Sequence, residues 1–102
     1  MTATYSSRRR GDGMLCGISL AAVAFGDVLE GARKRRDLDS HTLAARAGIT
    51  LVDLYLLEHG RAEPKLGLLL RLAAALGVSP AWIVEEVFRW MEPHDDGFME
   101  DL

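Results

Sequence analysis

The stretch Thr42–Glu58, "TLAARAGITLVDLYLLE", decides how this chain is read. Leu43 and Ala44 open a short apolar pattern of helical spacing, and Gly48 closes it. A glycine at that point adopts the left-handed backbone of a tight turn without steric cost. Ile49 follows as an apolar plug, Thr50 as an N-cap, and Leu51 to Glu58 as a second short helix anchored by Leu54 and Leu57. Ala47 is small enough for the two helices to approach closely.

Outward from this unit the punctuation is that of an all-helical protein. Residues 14–36 read as helical, with a break expected near Gly26. Within them, Phe25, Val28, Leu29 and Ala32 recur at spacings of three and four. Asp39 or Ser40 offers an N-cap for the first helix of the unit. Gly60 is a C-terminal cap for the second, and "RAEP" (61–64) is a polar turn. Leu66 to Leu76 form a strongly apolar fourth helix ended by Gly77. Ser79-Pro80 caps a fifth helix and places proline at its first position. That helix runs to about Met91, before Pro93. No useful length alternates with a period of two, so no sheet is expected.

Composition bounds the function. The chain has 102 residues, 49 % of them apolar and 26 % charged, and a formal net charge of −3. This fits one small domain with tails. The charge is unevenly placed. Arg8, Arg9 and Arg10 lie in a polar arm, residues 1–13. The tail 92–102 carries Glu92, Asp95, Asp96, Glu100 and Asp101. The stretch between 25 and 91 balances nine basic against nine acidic residues, with a basic knot at Arg33–Arg36. One cysteine, Cys16, excludes an internal disulfide and a cysteine-built zinc site, which suits a cytoplasmic protein. Residues 8–27 have the outline of a secretory signal, including Ala22-Val23-Ala24. We read residues 14–24 instead as an extra helix on the domain, too short to span a bilayer. Catalysis has no support. His41, His59 and His94 lack metal-ligand spacing, Cys16 sits in an apolar run, and no glycine loop cradles phosphate. No cofactor is expected.

A short helix, a glycine turn and a second short helix form the helix-turn-helix signature. "LAARAGI", "LEHGRAEP" and "LLLRLAAALGVSPAWI", in that order and spacing, resemble the XRE/Cro family of the lambda-type repressor fold over residues 25–91. The resemblance implies a five-helix domain, here with an additional N-terminal helix. It also implies a dimeric, cytoplasmic, DNA-binding regulator that blocks or recruits polymerase. It places Arg33 on the first helix in an ion pair with Glu58 at the end of the third. Ser40, Thr42, Thr50, His59 and Arg61 fall where the family touches the DNA backbone. Trp82 falls on a core aromatic. Phe88, Trp90 and Met91 fall at the end where members dimerise; they can form a two-fold dimer interface or seat the N-terminal helix.

At the base-reading positions this chain departs from the family pattern. They hold Leu51, Val52, Tyr55 and Leu56, and Ser40 stands where the second helix usually carries glutamine. A bidentate polar contact to a base edge discriminates by about 1–3 kcal/mol. Leucine and valine cannot supply one; they can touch thymine methyls or exclude other bases. Asp53 and Glu63 nearby would oppose phosphate. Three readings of this face are open. It can be a loosely specific DNA reader held by phosphate contacts, with the basic arm reaching a groove. It can be a protein-binding patch on a scaffold that has lost base readout. Or Leu56 or Val52 can be covered by helix 14–24, so that part of this face is core.

Overall fold

The computed structural model describes residues 19–92, and among these there are five α-helices and no strand. They are α1 (Leu20–Arg35), α2 (Ser40–Ala47), α3 (Leu51–Glu58), α4 (Leu66–Leu76) and α5 (Pro80–Met91). The arm 1–13, the first part of the expected extra helix (14–18) and the tail beyond Glu92 lie outside the described residues. So do Arg8–Arg10, Cys16, Pro93 and His94.

Four of the five helix starts carry a side-chain cap, because the first backbone N–H groups of a helix have no partner inside it. Ser19 accepts from the Ala22 N–H, Asp39 from Thr42, Thr50 from Asp53 and Ser79 from Ala81. Of the two cap candidates for α2, Asp39 is the one used; Ser40 is the first helical residue. Thr50 and Asp53 cap each other reciprocally at the start of α3. At the C-terminal ends Gly48, Gly60 and Gly77 all have φ near +75°, so the chain leaves α2, α3 and α4 through left-handed turns.

α1 packs against α3 and α5, and α2 against α4 and α3, around one core. Leu29, Leu43, Leu54, Leu72 and Ile83 are its largest fully buried side chains. Ala44 and Ala47 are also buried, and Ile49 packs partly against the core from the turn. Trp82 does the same from α5, half-buried, with the Arg35 guanidinium 5.9 Å from its ring centroid.

The break expected near Gly26 is absent: α1 runs continuously from Leu20 to Arg35, and residues 20–24 are its first turns rather than a separate helix. Gly26 serves close approach instead. A Cβ built there would lie 2.6 Å from the Leu57 carbonyl oxygen and 2.7 Å from that of Glu58. α1 therefore lies directly on the backbone that ends α3. One turn earlier, Val23 packs against Gly60, and the Ser19 hydroxyl donates to the Glu63 carboxylate. The N-terminal turns of α1 thus secure the turn that follows α3.

Gly26→Ala tests this contact with a sign opposite to helix propensity. In a free helix the change would stabilise by about 1 kcal/mol. Here the added methyl meets rigid backbone, and we expect a loss of about 2 kcal/mol, read from the midpoint of urea unfolding.

Candidate nucleic-acid interface

The interface begins with what holds α3 in place. Arg33 donates from Nε to Glu58 Oε2 (2.7 Å), from Nη2 to Glu58 Oε1 (3.0 Å) and from Nη1 to the Leu38 carbonyl (3.1 Å). Both side chains are nearly buried, at 12 % and 6 % exposure. The hydrogen-bonded carboxylate of Glu58 holds the guanidinium above its ordinary basicity. This fork ties α1, the α1–α2 turn and the last residue of α3 into one unit. On the far side of the motif, Arg71 of α4 donates to the Ala47 carbonyl at the end of α2 (3.0 Å). Both helices of the motif are therefore pinned at their C-terminal ends, and their N-terminal ends are left to face outward.

The outward end of α3 is apolar. Leu51 is 40 % exposed, Val52 66 % and Tyr55 57 %. Leu56 differs from these three: it is half-buried. Covering of Val52, one of the three open readings, therefore does not occur among the described residues. Leu51 and Tyr55 line an open recess of about 520 Å³, shared with Asp39, Ser40 and His41 at the start of α2 and with His59. Tyr55 and His59 stack, with ring centroids 3.9 Å apart and 24° between planes. His59 Nδ1 lies 2.9 Å from the Tyr55 carbonyl oxygen, which can only accept, so Nδ1 is the donor and Nε2 points away from that bond.

Of the residues assigned to phosphate contact, Thr50, His59 and Arg61 are exposed, and Ser40 and Thr42 are half-buried. The two acids expected to repel phosphate are both engaged locally. Asp53 is bonded to the Thr50 N–H, and Glu63 to Ser19. A third acid, Asp39, escaped the sequence reading as an electrostatic element. Its bonds from Thr42 hold its pKa below the ordinary aspartate range. A carboxylate therefore occupies the positive end of α2 that an incoming phosphate would otherwise meet. His41, weighed only as a metal ligand in the sequence, adds a basic group across the recess from His59.

The residues assigned to a dimer contact separate. Phe88 is 65 % exposed. Trp90 is half-buried, and its indole N–H donates to Asp27 of α1 (2.8 Å) within the same chain. Met91 is also half-buried. Exposed Val84 lies one turn before Phe88 on α5, and Leu66 and Leu70 are exposed on α4.

This architecture, two short helices locked at their C-terminal ends with their starts outward, is that of a helix-turn-helix domain. The helix-turn-helix family model matches residues 29–83. Among solved structures, the clp gene regulator ClgR from C. glutamicum is 30 % identical with a TM-score of 0.68, over 72 % of this chain and 95 % of that one. The restriction-modification controller protein C.AhdI from Aeromonas hydrophila is 29 % identical with a TM-score of 0.62, over 64 % and 98 %. The wild-type controller C.Esp1396I shares the fold at 15 % identity and a TM-score of 0.66, over 72 % and 95 %. No curated protein sequence matches the chain. The chain belongs to the XRE-type helix-turn-helix family. The matched relatives are regulators rather than enzymes.

The fork between α1 and α3 should dominate stability at this site. Removing one partner leaves a nearly buried charge unpaired, so Glu58→Ala should destabilise by about 3 kcal/mol. The loss is checked by chemical denaturation.

Proposed function

We propose that this protein is a cytoplasmic transcriptional regulator that binds double-stranded DNA as a homodimer through α2 and α3. The observation that carries the reading is the first turn of α3. Thr50 is exposed just before it, and His59 and Arg61 are exposed beyond the other end of α3, which the Arg33–Glu58 fork holds. A hydroxyl at an exposed helix start, with an imidazole and a guanidinium past the helix end, is suited to phosphate oxygens. The relatives named as gene regulators and controller proteins support the same reading. Among the described residues no single helix is long and apolar enough to cross a membrane.

The adaptor reading draws on the same exposed side chains, Leu51, Val52 and Tyr55. Their combined exposed area is on the order of 300 Å², well below the roughly 800 Å² that each partner of a stable protein complex contributes. A DNA-binding module also buries about 600–1,000 Å², so an interface of either kind extends beyond these three side chains; the relatives named as gene regulators favour DNA.

For the homodimer, Val84 and Phe88 form an exposed apolar pair one turn apart on α5, beyond the motif. A two-fold axis at this end would set the two α3 helices side by side for paired half-sites. Trp90 and Met91, partly covered within the chain, would frame such a contact rather than centre it.

Two measurements test these assignments. Arg61→Ala should weaken duplex binding by a similar factor at every sequence. It should also reduce the slope of log affinity against log salt by about 1. Phe88→Glu should convert the dimer to a monomer in sedimentation velocity while leaving the helical circular-dichroism signal intact.

A further inference from the structure

Resting on the DNA-binding reading, we propose that α3 recognises the 5-methyl groups of pyrimidines in the major groove through Leu51, Val52 and Tyr55.

The exposed side chains of α3's first turn are Leu51, Val52 and Asp53, with Tyr55 one turn on; Asp53 is bonded back to the Thr50 N–H, and polar groups border the apolar three. Thr50 lies just before, His59 one turn beyond Tyr55, and Arg61 in the turn that follows. An apolar centre with hydroxyl and cationic edges is complementary to a surface with methyl groups at its centre and anions at its edges. The major groove at thymine is such a surface, with the C5 methyl on the floor and phosphates on both walls. Cytosine, adenine and guanine carry no methyl there, whereas thymine's methyl sits beside its O4 acceptor. Discrimination therefore arises from burial of the methyl, which thymine or a 5-methylated cytosine supplies.

The size of the patch agrees. From Leu51 to Tyr55 is four residues, about 6 Å along a helix axis, or about two base-pair steps at 3.4 Å. The patch is also rigid. Tyr55 is held by its stack on His59, and His59 by its bond to the Tyr55 carbonyl. The capping box fixes the turn that carries Leu51 and Val52. Leu56 is half-buried and takes no direct part.

The full-length protein is used to enrich binding duplexes from a random-sequence library. The enriched duplex is then remade with deoxyuridine in place of thymidine, which removes only the methyls. We expect affinity to fall about fourfold per contacted methyl, so about fifteenfold for two. Leu51→Ala with Val52→Ala should reduce that penalty to less than about fourfold. Both side chains are exposed, and an unchanged melting curve confirms that the variant is folded. Replacing the critical thymines by 5-methylcytosine, paired with guanine, tells the two natural methyl sources apart. Retained binding means the methyl alone is read; lost binding means thymine is the ligand. Both outcomes support methyl recognition once deoxyuridine has reduced affinity. If the deoxyuridine duplex binds as well as the thymidine one, methyl recognition is overturned while DNA binding stands. If no duplex of any sequence shows salt-dependent binding, the DNA-binding reading falls and this one with it.

Discussion

The close seating of α1 on the end of α3 is the constraint on which the rest of this structure depends. Two features produce it together. Gly26 lets the two backbones approach to a distance that no side chain would permit, and Arg33 clasps the Glu58 carboxylate with two hydrogen bonds while its third nitrogen holds the Leu38 carbonyl. Neither alone would orient α3. The glycine contact is short-ranged but has no rotational preference, whereas the planar guanidinium fork matches a carboxylate in one geometry. With its C-terminus held in this way, α3 leaves Leu51 and Val52 of its first turn, and Tyr55 one turn on, at the surface.

That arrangement explains how so apolar a helix keeps part of its face at the surface. α3 carries six large apolar residues in eight positions, yet only Leu54 and Leu57 are fully buried. A helix that short and that apolar would ordinarily be swallowed by the core. Clamping its far end, with a capping box at its near end, fixes its rotation and keeps Leu51, Val52 and Tyr55 at the surface. The acids around the face are used in the same local way. Asp53 and Glu63 are engaged as internal partners, and Asp39 serves as the cap of α2. Of the three, Asp39 most directly occupies a position that phosphate would otherwise reach.

The helix order, the caps at Thr50 and Ser79 and the left-handed glycines were readable from residue types and spacing, and the Arg33–Glu58 pair from the family resemblance. These features are local or belong to a motif of constant register. A glycine after a helix or a hydroxyl before one acts within four residues, and the family spacing places Arg33 opposite Glu58. What misled the reading was equally specific. Gly26 looks like a helix break because glycine weakens a helix, but its role is contact with a segment more than thirty residues away. Trp90 had two roles open to it, seating the N-terminal helix or a dimer contact, and its indole N–H donates to Asp27 of α1 in the same chain.

The sequence by itself therefore determined the elements and their family, because caps, turns and motif register are short-range chemistry. It named Leu54 and Leu57 as the anchors of α3 but left open whether Val52 or Leu56 is covered as well. Apolar residues surround that helix, so periodicity alone does not mark where its covered face ends. Only the tertiary structure decided it, by gripping Glu58 with Arg33 and laying α1 across Leu57. Those long-range contacts set the rotation of α3, and with it the exposure of Leu51, Val52 and Tyr55 and the partial burial of Leu56.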